Sequence, residues 1–217
     1  MIRILFQDEN ICICQKEAGM LSEMTETKES LPKMLSEQLK SEIFVLHRLD
    51  KPVGGAMIYA KTKKGASAFS RLISEDGIKK EYVTVLDGRP AENSGLLTDL
   101  LFRDKQKNKT YTVKRMRKGV KEAKLTYEVI ASAEEKSLVK IQLITGRTHQ
   151  IRAQFASRKT PVTGDGKYGS RDNKCKTALW SHKLEFTHPF THEHISVTCE
   201  PDYSVYPWNL FKTESEV

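Results

Sequence analysis

Residues 47–55 read HRLDKPVGG, and the apolar run Ala56–Ala60 (AMIYA) follows them directly. Pro52 and the two glycines after Val53 force a loop, because proline does not continue regular structure and glycine bends the chain freely. A continuous apolar run bounded by glycine is typical of a buried strand. The run Phe44–Leu46 on the other side is also apolar. The stretch therefore predicts a polar loop between two apolar strands.

Outward from this loop, strands outnumber helices. Runs of alternating or continuous apolar residues predict strands over Ile2–Gln7, Ile11–Gln15, Tyr82–Leu86, Leu125–Val129, Val139–Leu143, Trp180–Phe186 and Ile195–Cys199. Helical spacing predicts three helices, over Leu31–Leu39, from the N-cap Thr62 to about Ser74, and over Thr148–Ala156. Long alternation of strands and helices is absent, which argues against a doubly wound nucleotide-binding fold. We expect an α+β fold, a mainly antiparallel mixed sheet with flanking helices.

The composition is that of a basic soluble protein. The 217 residues include 36 Lys and Arg against 28 Asp and Glu, a formal net charge of +8. This excess is compatible with a polyanionic partner, although many basic proteins bind none. No stretch approaches the ~20 apolar residues that a membrane-spanning helix needs. The N-terminus turns acidic within ten residues, unlike a signal peptide, so we expect a cytoplasmic protein with no membrane partner.

The basic residues are concentrated in one segment. Ten Lys and Arg lie between Arg103 and Lys124, and only Asp104 and Glu122 oppose them there. One interpretation is a solvated, mobile hairpin face. The other is an arm that contacts RNA, with Tyr111 available to stack on a base. Charge alone leaves both interpretations open.

Cysteines and histidines do not form a metal-binding pattern. Cys12 and Cys14 lie in an apolar run, where residues two apart share one face of a strand. In a cytoplasmic protein we expect reduced thiols. Four histidines lie near the C-terminus, at His182, His188, His192 and His194. No cysteine or acidic ligand is suitably spaced with them, so we expect no metal site.

Two blocks carry the groups that could do chemistry. The first is the loop 47–55, and the second is Thr145–Arg152 (TGRTHQIR), at the junction of a predicted strand and helix. Arginines near a helix N-terminus suit an anionic substrate. Asp50 is flanked by basic residues, which favour its ionised form, and an ionised carboxylate is a nucleophile or a base. The alternative is an aspartate that only caps the turn before Pro52.

Both blocks resemble a known family. HRLDKPVGGAMIYAKT resembles the signature of the RluA-type pseudouridine synthases, which modify ribosomal and transfer RNA. ITGRTHQIRAQFA followed by PVTGDGKYG resembles the second signature of that family. KKEYVTVLDG resembles its tyrosine-bearing strand, and LWSHKLEFTHPFTHE resembles its C-terminal segment. The four matches occur in the family's order and extend from about Phe6 to Pro201.

The resemblance implies an enzyme that isomerises uridine in RNA without a cofactor or a metal. Asp50 matches the catalytic aspartate. Tyr82 matches the tyrosine that stacks on the target uracil and assists proton removal at carbon 5. Arg152 matches the arginine that holds the catalytic aspartate by a salt bridge. We expect a monomer that consists of one catalytic domain over residues 1–217, with no separate N-terminal RNA-binding domain.

The same resemblance assigns RNA contacts to four further residues. Arg48 matches the arginine that occupies the space left by the flipped nucleotide. His47, Arg147 and His149 match other positions of the two blocks, and we expect them to bind RNA. The chain departs from the family where Lys16, at the end of a predicted strand, is followed by glutamate instead of proline.

In the implied reaction, the bond between ribose and a nitrogen of uracil is broken, and a new bond forms between ribose and carbon 5 of the same base. The base must be cleaved, rotated while held, and reattached. The carboxylate can attack ribose carbon 1, add to uracil carbon 6, or remove a sugar proton to give a glycal, and these routes remain open. In each route the target nucleotide has to leave the base stack.

Two other classes of function compete with this interpretation. A non-catalytic RNA-binding protein could keep the same fold, but binding alone would not need Asp50, Tyr82 and Arg152 together. A hydrolytic nucleosidase would use a second carboxylate to activate water, and neither block supplies one.

Overall fold

The computed structural model describes residues 1–27 and 30–211. Its strands are β1 Ile4–Gln7, β2 Ile11–Lys16, β3 Phe44–Val45, β4 Gly54–Ala60, β5 Ile78–Asp87, β6 Ser94–Asp104, β7 Lys109–Val113, β8 Val120–Ala133, β9 Lys136–Leu143, β10 Leu179–Thr187 and β11 His194–Thr198. Its α-helices are α1 Leu31–Leu39, α2 Lys63–Ser74 and α3 Gln150–Ser157, with short 3-10 turns at Gly166–Tyr168 and Trp208–Phe211. Most strand pairs are antiparallel, whereas β4 and β10 pair in parallel. The predicted α+β class is confirmed.

The chain divides into two compact units. The first unit comprises Met1–Glu81 and Trp180–Pro201, and the second comprises Tyr82–Leu179 and Asp202–Val217. The expectation of one catalytic domain remains a prediction. Within the described residues, no helix has both the length and the apolar character needed to cross a membrane.

The first unit is built around β4. All seven residues of this strand are buried, as the apolar run predicted. β4 pairs with β2 and β3 antiparallel and with the start of β10 in parallel. The core that covers β4 includes Ile13 from β2, Phe69 from α2 and Leu184 from β10. The loop 47–53 therefore leads into the most buried strand of this unit.

Gly54 and Gly55 allow β10 to approach β4 closely. A Cβ atom on Gly54 would stand 2.2 Å from the ring of Trp180. Gly55 has a φ of +114°, and a Cβ there would lie 2.3 Å from the carbonyl oxygen of Ser181. Side chains rarely adopt this backbone conformation, so both glycines serve strand packing as well as the loop.

The sequence pattern predicts the ends of α1 and α2 more accurately than the start of α3. α1 has the predicted bounds, and α2 begins after its predicted cap, because the Thr62 hydroxyl accepts the Gly65 N–H at 3.0 Å. The predicted start of the third helix at Thr148 is wrong by two residues. His149 has a left-handed φ of 54°, which a right-handed helix does not accommodate, so α3 starts at Gln150.

The second unit contains the antiparallel order β9, β8, β6, β7. The basic segment 103–124 forms the end of β6, all of β7 and the start of β8, so most of it is paired strand. One face packs against α3, with Leu101, Ala123 and Ala153 buried in a shared cluster. Thr110 of β7 is also anchored, because its N–H donates to the Tyr168 hydroxyl at 2.8 Å.

Candidate active site

The loop of the first block is held through its backbone carbonyls. The Asp50 carbonyl accepts the Val53 N–H at 3.0 Å and closes a turn. The Lys51 carbonyl accepts the Gly19 N–H at 2.8 Å, and the Leu49 carbonyl accepts the Ser22 hydroxyl at 2.9 Å. Because consecutive carbonyls are bound, the backbone that carries the Asp50 side chain has a defined path.

Lys16 is the centre of this arrangement. Its side chain is fully buried at the end of β2. The ammonium group donates to the carbonyl oxygens of Val53 at 2.6 Å, Lys51 at 3.1 Å and Asp50 at 3.3 Å. A buried charge is costly unless it is hydrogen-bonded in this way. Sequence reasoning noted Lys16 only for the residue that follows it and missed this role.

We expect Lys16→Met to destabilise the protein by roughly 1–3 kcal/mol. Methionine fills a similar volume but donates no hydrogen bond, so the buried Val53 carbonyl loses the Lys16 donor, whereas the Asp50 and Lys51 carbonyls keep their backbone donors. Urea denaturation should show the loss, and Lys63→Met, at an exposed position on α2, is the control. Equal denaturation midpoints for the two variants would show that Lys16 does not hold the loop.

The two residues before Leu49 have different environments. The Nε2 atom of His47 accepts the Ile58 N–H at 3.2 Å, which ties the block to β4. Burial, together with the charge of Lys80, lowers the pKa of His47 to about 3, so the ring is neutral at physiological pH. Arg48 is exposed and forms an ion pair with Glu23. His47 thus has a structural contact, and its predicted contact with RNA remains a prediction.

The second block is bonded to the basic segment. The Nε of Arg147 donates to the Glu122 carbonyl at 3.0 Å. The Gln150 side chain accepts the Arg147 N–H at 3.0 Å and donates to the Lys124 carbonyl at 3.0 Å. The block and the start of β8 therefore hold each other in place.

Arg152 lies on α3 and is 4% exposed. Its Nε and Nη2 atoms donate to the two carboxylate oxygens of Asp165, at 2.6 and 2.9 Å. Its guanidinium group also lies 4.9 Å from the ring centroid of Tyr168. The two-pronged contact fixes the plane of the guanidinium as well as its position.

His149 joins the same cluster through Tyr168. The Tyr168 hydroxyl accepts the Thr110 N–H at 2.8 Å and also lies 2.9 Å from the Nδ1 of His149. The neutral His149 ring accepts the Tyr168 hydroxyl proton when its own proton is on Nε2, and donates to the hydroxyl when its proton is on Nδ1. Burial raises the pKa of Tyr168, so its hydroxyl stays protonated at neutral pH.

The predicted residues fall into two groups. His47, Arg48 and Asp50 lie in the first unit, where Asp50 is half-buried. The second unit contains Tyr82, which is 7% exposed, together with Arg147, His149 and Arg152. Within the second unit, His149 and Arg152 both contact Tyr168. Sequence reasoning assigned no role to Asp165 or Tyr168, although both stand in the quoted string PVTGDGKYG.

Three of the C-terminal histidines have carboxylate partners in the first unit, and one of them is His194, whose Nε2 lies 3.7 Å from Glu185. His182 lies between Glu81 and Glu200, with both nitrogen–oxygen distances at 2.8 Å. The Nε2 of the buried His188 lies 2.8 Å from Asp8. Among the described residues, no group of three or more His, Cys, Asp or Glu side chains is arranged to hold a metal ion.

Comparison with known proteins gives a consistent result. The family described as RNA pseudouridylate synthase matches residues 10–157. An uncharacterized RNA pseudouridine synthase of Haemophilus influenzae is 30% identical over 202 residues, which are 92% of this chain and 88% of the relative. The dual-specificity RNA pseudouridine synthase RluA of Yersinia pestis is 30% identical over 212 residues, 92% of this chain and 99% of the relative. The structure of human RNA pseudouridylate synthase domain containing 1 has the same fold, with a TM-score of 0.79 at 21% identity over 96% of this chain and 86% of the human chain.

Proposed function

The chain belongs to the RNA pseudouridylate synthase family, and on that premise we propose that it converts specific uridines of ribosomal or transfer RNA to pseudouridine, with Asp50 as its catalytic carboxylate. It is therefore an isomerase that acts on RNA. The observation that carries the proposal is the extent of the match, because residues 10–157 include Asp50, Tyr82 and Arg152.

Each of these three residues has a separate role in the proposal. The ionised Asp50 acts as nucleophile or base when the glycosidic bond breaks. Tyr82 stacks on the target uracil and assists proton removal at carbon 5, and Arg152 holds the catalytic carboxylate. The contacts of Lys16 with the loop support the first role, because a carboxylate must be held in a productive geometry to react.

RNA contacts are proposed for the remaining residues of the two blocks. Arg48 is exposed and can enter the space left by the flipped nucleotide. His47, Arg147 and His149 are proposed to contact the RNA chain around that nucleotide. We expect the enzyme to act as a monomer in the cytoplasm and to need no cofactor.

The experiment that tests this function measures tritium release from RNA labelled at carbon 5 of uridine. Purified protein is incubated with ribosomal and transfer RNA transcripts, and the modified positions are then mapped in cells with and without the gene. Release from either class of transcript supports the proposal and identifies the substrate class. Tight RNA binding without release would favour the alternative, a non-catalytic RNA-binding protein with the same fold.

We also propose that the basic segment 103–124 contacts RNA phosphates. Its β6–β7–β8 strands pack against α3 through Leu101 and Ala123, whereas Lys105, Lys107 and Lys118 of the segment are exposed. On β7, Tyr111 is 38% exposed, and the ammonium group of Lys109 lies 5.6 Å from its ring centroid. An exposed aromatic ring beside a cation is a common platform for an unpaired base.

We expect this contact to appear in the salt dependence of binding. Each lost phosphate contact lowers the slope of log affinity against log salt by about 0.7 for single-stranded RNA. We therefore examine a triple variant in which glutamine replaces the exposed residues Lys105, Lys107 and Lys118. This variant should reduce the slope by about 2. The matched control places glutamine at three exposed lysines of the first unit, Lys63, Lys64 and Lys79. An unchanged slope in the first variant would show that this segment does not contact RNA.

A further inference from the structure

The carboxylate of Asp87, at the end of β5, closes a loop of the second unit. Its Oδ1 accepts the Thr163 hydroxyl at 2.8 Å, and its Oδ2 accepts the Ser170 hydroxyl at 2.6 Å. The backbone adds two bonds at the start of the loop, from the Asp87 N–H to the Pro161 carbonyl and from the Thr163 N–H to the Val85 carbonyl, both at 2.8 Å. One side chain thus holds both ends of the segment Thr163–Ser170.

This loop carries the two partners of Arg152. Asp165 forms the two-pronged ion pair with it, and the ring of Tyr168 lies against its guanidinium. Ser170 is bonded directly to this part of the loop. Its N–H donates to the Asp165 carbonyl at 3.2 Å, and its hydroxyl accepts the Gly164 N–H at 3.1 Å. A shift of Ser170 would therefore be passed to the carboxylate that orients Arg152.

Asp87 is itself held by a half-buried lysine. The Lys136 side chain is 12% exposed, and its ammonium group lies 2.8 Å from Asp87 and 2.9 Å from Asp172. Burial acts to raise the pKa of Asp87, but hydrogen bonds from Lys136, Ser170 and Thr163 outweigh it and leave the pKa below its usual value. The group is therefore ionised at neutral pH, and both of its oxygens are acceptors.

We propose that Asp87, held by Lys136, is a positioning residue that sets the orientation of Arg152 through the loop Thr163–Ser170. The inference rests on the proposed function, in which Arg152 holds the catalytic carboxylate. Neither Asp87 nor Lys136 lies in the two blocks that carry the proposed chemistry. A planar guanidinium is sensitive to such support, because a misplacement of about 1 Å can cost about 100-fold in rate.

The variant Asp87→Asn tests the inference. The amide keeps the shape of the side chain, but its NH₂ group cannot accept a hydroxyl proton, so one of the two bonds from the Thr163 and Ser170 hydroxyls to this side chain is lost. In steady-state kinetics, we expect kcat to fall about 10- to 100-fold while KM for RNA stays within about twofold. Glu135→Gln makes the same charge change at an exposed neighbour of Lys136 and should leave both constants unchanged.

Ser170→Ala is the second variant, in case Asp87→Asn does not fold. It removes one hydroxyl and should lower kcat by several-fold, again without a change in KM. A double-mutant cycle with Asp165→Asn then separates positioning from stability. If Asp87 acts through Asp165, the two effects on kcat are strongly non-additive, whereas independent effects would multiply. All rates are measured well below the melting temperature of each variant, so that the folded fraction is complete.

The outcomes separate this inference from the proposed function. Wild-type kcat in both Asp87→Asn and Ser170→Ala, with a lower melting temperature, would overturn the inference and leave the network a purely structural role. If Arg152→Lys is inactive while these two variants keep wild-type kcat, the proposed role of Arg152 in the site is retained. If Arg152→Lys turns over normally, the role of Arg152 itself is wrong, and the positioning inference falls with it.

Discussion

We expect Asp50→Asn to abolish isomerisation, with a loss of roughly 10⁴-fold or more, and to leave RNA affinity within a few-fold of wild type. Asparagine has the same shape, but it lacks the negative charge, and an amide nitrogen is neither nucleophilic nor basic enough at neutral pH. The fold should persist, because the Lys16 ammonium and the Val53 N–H bind the main-chain carbonyl of residue 50, which the substitution retains. Affinity should persist because phosphate contacts elsewhere dominate binding.

Tritium release from RNA labelled at carbon 5 of uridine measures the chemistry, and filter binding measures the affinity. Asp76→Asn is the matched control, since Asp76 is an exposed aspartate of the first unit with a left-handed φ of 55°, which asparagine tolerates well. Release by the Asp50 variant above a trace rate would remove the catalytic assignment. Loss of binding together with activity would make Asp50 a structural residue.

We expect Arg152→Lys to lower turnover by about 100-fold or more and to lower the free energy of unfolding by only about 1–3 kcal/mol. Lysine keeps the positive charge and can still bond one oxygen of Asp165. It cannot reproduce the planar contact with both oxygens that the guanidinium makes. The orientation of the charge is therefore lost while most of the local electrostatics remains, so turnover should fall far more than stability.

Arg158→Lys provides the control for this substitution. Arg158 lies at the C-terminal end of the same helix and pairs with Asp99, and its side chain is 37% exposed. The same change at this position should leave turnover near wild type. Near-normal turnover in Arg152→Lys as well would exclude Arg152 from the site and direct attention to Arg147.

Elements with strong local signals were predictable from the sequence. α1 and α2 have the expected bounds, because the apolar spacing and the Thr62 cap act within a few residues of chain. β4 is buried along its whole length, as a continuous apolar run requires. The start of α3 was missed because nothing in the local pattern indicates that His149 adopts a left-handed conformation.

The identity of the two blocks, and with it the proposed reaction, follows from the sequence alone, because order and spacing along one chain carry that information. Which residues hold the two blocks in place was decided by the tertiary structure. Lys16 meets the Val53 carbonyl 37 residues away, and Asp87 meets Ser170 83 residues away. Residue types alone do not reveal such pairs, since any buried lysine or aspartate needs partners and many candidates are available. Folding brings particular strands and loops together and so determines which of these candidates become partners. For this reason Lys16 and Asp87, which lie outside both blocks, hold the groups that the blocks contribute.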